Sequence, residues 1–102
     1  MSSVIEQKRS VLEEICRRFH VIRLEVFGSA TGPEFDEQSS DLDFLVEFDD
    51  VPPGGRFDAY FGLHRALRDL FSRPVDLVEP DGMRNPYFIR RVNESRRLVY
   101  AP

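Results

Sequence analysis

The chain has 102 residues, 41% of them hydrophobic and 31% charged, which suits one globular domain with a single core and leaves no length for a separate substrate domain. A formal charge of −4 and a pI near 5.1 argue against a general nucleic-acid binder, which needs a net basic face. One cysteine, Cys16, excludes an internal disulfide, and neither a signal core nor an apolar run of membrane-spanning length is present, so a cytoplasmic protein is expected.

Residues 4–19 read as a helix. Val4, Ile5, Lys8, Val11, Leu12, Ile15 and Phe19 fall on one stripe at three- and four-residue spacing, and Ser3 with Glu6 fits a capping box at its start. Cys16 lies beside that stripe and, with no activating partner, reads as a packed, inert thiol. His20 suits the negative pole where the helix should end.

Val21–Phe27 reads as a strand, with Ile22, Leu24 and Val26 on one face and Arg23 and Glu25 on the other. Gly28-Ser29 ends it, and residues 30–40 read as a short helical turn followed by an exposed loop. Asp41–Phe48 is the second predicted strand. Asp49–Gly55, with Pro52-Pro53-Gly54-Gly55, is a break.

A second long helix is expected over Phe57–Phe71. Phe57, Tyr60, Phe61, Leu63, Leu67, Leu70 and Phe71 form a broad apolar face, and Gly62 weakens the helix modestly. Arg73-Pro74 stops it, and Val75–Val78 reads as the third strand. Asn85-Pro86 pairs an Asn cap with proline at the first helical position and leads into a helix over Tyr87–Asn93. Arg97–Tyr100 completes the pattern as a short last strand. The order is helix, strand, turn, strand, helix, strand, helix, strand. It predicts a small α/β (α+β) domain, a mixed sheet packed against helices, because the link between the first two strands is short for a parallel crossover.

Three carboxylates carry the chemistry. Strand alternation puts Asp41 and Asp43 on the same face, and Asp76 lies inside the apolar third strand, where an acid is out of place. Each alone has an ordinary explanation: a cap at Asp41, a solvated strand face at Asp43, an edge charge against aggregation at Asp76. Together, after a Gly-Ser turn, they point instead to a cation. Two neighbouring carboxylates repel, and Mg²⁺ held by carboxylates and substrate phosphates removes that cost. Gly28 would let the backbone approach a phosphate, and Ser29 would offer it an amide and a hydroxyl. The rest is ordinary. His64 reads as a hydrogen-bonded or surface residue of the second long helix, and the acidic run Glu34-Phe35-Asp36-Glu37 reads as solvated.

Gly28-Ser29, then Asp41-x-Asp43, then Asp76 in a later strand, resembles the DNA polymerase β-type nucleotidyltransferase superfamily. The short length, the element order and the ending Asn85-Pro86-Tyr87 … Arg97-Leu98-Val99-Tyr100-Ala101 resemble the minimal nucleotidyltransferases (MNT proteins), antitoxin partners of HEPN-domain toxins in prokaryotes. The resemblance spans essentially the whole chain. It implies two-metal transfer: Asp41 and Asp43 hold Mg²⁺ against the triphosphate of ATP, and Asp76 completes the second metal and favours deprotonation of the acceptor hydroxyl. It also implies the acceptor, a tyrosine of a HEPN ribonuclease toxin that is silenced by AMPylation. Neither a membrane nor a nucleic acid is expected as a partner.

The chain departs from the family pattern in two respects. Eleven residues separate Ser29 from Asp41, a slightly longer spacing than usual, and Ala30-Thr31-Gly32 stands where the family often has Ala-Arg-Gly. Arg56, Arg84, Arg90 and Arg91 are candidates to replace that arginine, each reading alone as a surface residue. The alternative function is a non-catalytic antitoxin that neutralises its partner by docking, which would need none of the three aspartates. Exposed members of the aromatic set could dock such a partner. A third reading, transfer to a small molecule or an RNA end, is disfavoured by the absent second domain and the acidity.

Overall fold

A computed structural model describes residues 3–28, 41–50 and 54–102, with the side chain of Ser3 left out. The N-terminal apolar stripe forms two helices in place of one, α1 (Ser3–Gln7) and α2 (Arg9–Arg18), parted at Lys8. Arg9 marks the break. Its guanidinium holds Glu6 at 2.6 Å on one side and donates to the Val99 carbonyl at 2.7 Å on the other. Glu6 is thereby turned toward Arg9, and the expected capping partner, the Ser3 hydroxyl, lies outside the described residues. Ile5, Leu12, Ile15 and Cys16 are buried as the spacing predicts, whereas Val11 is exposed. Burial pushes the Cys16 thiol up to about 12, so it stays protonated and inert. His20 closes α2 in the left-handed conformation, φ 63°.

Four strands follow: β1 (Val21–Phe27), β2 (Leu42–Phe48), β3 (Val75–Val78) and β4 (Arg97–Tyr100). They form one sheet in the order β3-β2-β1-β4, with β2 and β3 parallel and the other neighbours antiparallel. The expected mixed sheet is therefore present. At the start of β1 the register slips: Val21 faces Phe48, but Arg23 faces Glu47. This bulge sends Val21 inward and leaves Ile22 exposed, the reverse of the simple alternation.

The long helix α3 (Gly55–Phe71) is the crossover between the parallel strands β2 and β3. It buries Ala59, Leu63, Leu67 and Phe71 with α1 and α2 against Leu24, Val26, Phe44 and Val46, the main core. Gly62 allows that closeness, since a Cβ there would stand 2.5 Å from the Phe19 ring. Phe57 and Phe61, expected on the apolar face, instead project from it, 67% and 53% exposed, with ring centroids 4.6 Å apart. After β3 a 3-10 turn at Pro80–Gly82 leads to α4 (Pro86–Ser95). Asn85 caps α4 as predicted, accepting from the Tyr87 amide at 2.9 Å. This helix crosses the opposite face of the sheet, where Val92 and Phe88 meet Phe27 and Leu45, the two phenyl rings edge to face at 5.9 Å.

Side chains also cover the sheet's two outer edges. Leu42 donates to the Pro74 carbonyl, so on β3 the carbonyls of Val75 and Leu77 point away from β2. His64 meets the first at 2.7 Å and Tyr60 donates its hydroxyl to the second. The His64 nitrogen that faces a carbonyl must carry the proton, a structural role that agrees with the sequence reading. On β4, Arg9 performs the same service at Val99. Backbone pairing with another chain is thus hindered at both edges.

Candidate active site

The face that α4 partly covers carries the acids. Parallel pairing sets Asp43 directly opposite Asp76, and antiparallel pairing sets it opposite Phe27, the last residue of β1. Three chain segments therefore meet at one end of the sheet: the exit of β1 and the entries of β2 and β3. Asp43 is half-buried there, and Asp76 is exposed. Asp41 precedes the first residue of β2 and is exposed, so strand alternation does not govern its direction. Among the described residues no three His, Cys, Asp or Glu side chains form a set able to hold a metal ion as they stand. Pairwise, Asp43 is the centre.

Its electrostatics confirm this. Burial, then the charge of Asp76, then that of Asp41 push the Asp43 carboxyl up to about 6. Three carboxylates with hard oxygen donors and mutual repulsion match the chemistry of Mg²⁺, which binds through one or two carboxylates and keeps its remaining positions for water and phosphate. Carboxylate oxygens suit that hard ion rather than a soft metal, although the three side chains as they stand do not converge into one ligand set.

Gly28 is built into the same corner. Its φ is +74°, and a Cβ on it would stand 2.8 Å from Asp43 Oδ2. The glycine is required first of all because the acid occupies the space where a side chain would be. Ser29 lies outside the described residues. Among the described residues, none of the arginines suggested as replacements for the missing basic residue is engaged at this corner. Arg56 pairs with Glu79 and lies over the Phe48 ring, at the far end of β2; Arg84 donates to the Asp81 carbonyl, and Arg90 faces Glu94 at 3.6 Å. Among the described residues no side-chain partner is found for Arg91.

Two features here escaped the sequence reading. Ser95, the last residue of α4, accepts the Gly28 N–H at 2.9 Å. Arg96 then clamps Glu25 of β1 by donating from Nε to Oε2 at 2.9 Å and from Nη2 to Oε1 at 2.5 Å, and Arg23 adds a contact at 3.0 Å. Glu25 is only 4% exposed, and the Arg96 hydrogen bonds hold its carboxyl below the ordinary carboxylate range despite that burial. The signal was an acid between Leu24 and Val26, next to Phe27, since a charge buried there demands a partner.

Residues 8–99 match the family model described as "Nucleotidyltransferase domain". A candidate protein adenylyltransferase of Methanocaldococcus jannaschii, MJ0128, is 32% identical over 101 residues, covering 99% of this chain and 94% of that protein. Among solved structures, a candidate minimal nucleotidyltransferase superposes with a TM-score of 0.72 at 28% identity, with 95% of each chain covered. A chain from a complex of tri-AMPylated Shewanella oneidensis HEPN toxin with MNT antitoxin shares the fold, with a TM-score of 0.64 at 16% identity over 96% of this chain and 73% of that one.

Proposed function

The chain belongs to the nucleotidyltransferase domain family, and we propose that this enzyme moves AMP from ATP to a tyrosine hydroxyl of a HEPN ribonuclease toxin, acting as its antitoxin. The observation that carries the chemistry is the register of Asp43 against Asp76, with Asp41 close enough to raise the same carboxyl. Asp41, Asp43 and Asp76 would hold Mg²⁺, two ions in the full site, which supplies charge neutralisation for the phosphates and for the attacking and leaving oxygens. The protein's own task is then positioning. Gly28 and, following it, Ser29 would place the triphosphate beside Asp43, and the exposed Asp76 carboxylate would favour deprotonation of the acceptor hydroxyl.

The protein acceptor rests on likeness and on an exposed apolar pair. The M. jannaschii relative is named for protein adenylylation, and the shared fold occurs in a complex whose toxin carries three AMP groups. In this chain the exposed Phe57–Phe61 pair offers an apolar contact for a partner, and the covered sheet edges direct docking to a helical surface.

Incubation with Mg²⁺ and ATP labelled on the α-phosphate, with and without a HEPN-type protein encoded beside the gene, tests this reading. Label should pass to the partner, and Asp43→Asn and Asp41→Asn should each abolish transfer while leaving the complex intact. A stable, neutralised complex with no transfer under any divalent metal would replace enzymatic silencing with stoichiometric docking, for which the exposed aromatic pair is the supporting feature.

A further inference from the structure

We propose that Ser95 is a positioning residue for the nucleotide site, acting through Gly28. The inference rests on the nucleotidyl-transfer reading and assigns the end of α4 a part in it.

The Ser95 hydroxyl has one proton. That proton is directed back into the helix, toward the carbonyls of Arg91 at 3.1 Å and Val92 at 3.4 Å. Such back-bonding is ordinary near a helix terminus and by itself slightly unfavourable. Its consequence here is that the oxygen's lone pairs face outward, and one of them receives the Gly28 N–H at 2.9 Å. Gly28 is the residue where the chain leaves β1 in the left-handed region, and its α-carbon lies against the Asp43 carboxylate. A single hydroxyl thus ties the helix terminus to the turn that borders the central acid.

Anchoring α4 to the sheet does not require this contact. The Arg96–Glu25 clamp and the packing of Val92 and Phe88 on Phe27 and Leu45 already do that. Ser95 adds direction at one amide. Loss of the hydroxyl would remove that acceptor from the Gly28 amide, and the turn beside Asp43 would be held less firmly. Misplacement of about 1 Å at a reacting centre costs on the order of 10²-fold in rate, so a small angular error at this turn matters.

Ser95→Ala and Ser95→Thr, compared with wild type, test the proposal by two measurements. The first is hydrogen exchange at the Gly28 amide. It should be protected in wild type and in Ser95→Thr, and at least about tenfold less protected in Ser95→Ala, with the amides of β2 unchanged. The second is equilibrium binding of the non-hydrolysable analogue AMP-PNP with Mg²⁺, which should weaken about tenfold in Ser95→Ala and recover in Ser95→Thr, with melting temperatures close to wild type. Equal Gly28 protection in all three proteins would overturn the contact. Lost protection with unchanged AMP-PNP affinity would overturn its role in positioning. Lost protection in a protein whose wild type binds no AMP-PNP would overturn the nucleotide reading while leaving the Ser95–Gly28 contact standing.

Discussion

The α-carbon of Gly28 and the carboxylate of Asp43 occupy adjoining space: a methyl group on the first would come within 2.8 Å of Oδ2 of the second. Because Gly28 also holds φ +74°, two independent costs fall on any substitution there. Gly28→Ala should lose about 1–2 kcal/mol of stability from the left-handed conformation alone. It should also displace the Asp43 side chain, so that nucleotidyl transfer falls by about 10²-fold or more while the melting temperature drops by roughly 5–15 °C. A variant destabilised to that extent that keeps wild-type activity would show that Asp43 has room to move and that the glycine serves the turn only.

Most of the fold was legible because it rests on period and punctuation. Alternation placed β2 and β3, Asn85-Pro86 placed the start of α4, and the short link between β1 and β2 implied a mixed sheet. The misses arose where one residue breaks the period or where a partner is remote in sequence. The Val21–Arg23 bulge reversed Ile22, and the break at Lys8 divided the first helix. Of the site, the aspartates could be named from spacing, but the alignment of Asp43 with Asp76 needs the parallel register that α3 creates. Ser95 gave no sign at all. A serine at the end of a polar helix is ordinary until it is known that residue 28 lies beneath it. Alternation put Glu25 on the face opposite Leu24 and Val26, but its burial and its partner Arg96, 71 residues on, needed the structure.

Asp43 makes the pH dependence distinctive. Its folded pKa, about 6, lies above the unfolded value near 3.8, so between about pH 4 and 6 the native state binds a proton that the unfolded chain releases. Stability should therefore fall as pH rises through that window, by an amount on the order of 2 kcal/mol from this group. Glu25 works the other way. Its folded pKa is depressed, so the stability it contributes is present above its unfolded value of 4.5 and lost as pH falls through the lower folded one. Asp43→Asn should remove the first trend, leaving a variant more stable than wild type at pH 7 without divalent metal, yet inactive. Mg²⁺ should raise the melting temperature of wild type at pH 7 and have little effect at pH 5, where protons compete for the carboxylate. Urea titrations and thermal melts of wild type and Asp43→Asn at pH 4, 5 and 7, with and without Mg²⁺, measure these effects. Equal pH 5-to-7 slopes in wild type and Asp43→Asn would show that this carboxyl is ordinary.

Gly62 provides a test of packing that is independent of the site. In the interior of an exposed helix, replacing glycine with alanine gains about 1 kcal/mol. On α3 the added Cβ would stand 2.5 Å from Phe19 Cε1 and 3.1 Å from Cδ1, closer than atoms can pack. The overlap costs about 1–3 kcal/mol as the ring or the helix shifts, which outweighs the propensity gain. Gly62→Ala should thus be net destabilising by up to about 2 kcal/mol, a fall of as much as roughly 15 °C in melting temperature for a domain of this size. Combining it with Phe19→Leu, which trims the ring, should cost less than the sum of the single changes, because the smaller side chain removes the overlap the alanine created. If Gly62→Ala alone stabilises the protein, α3 can move away from the end of α2 at little cost, and the glycine is there for reasons other than close approach.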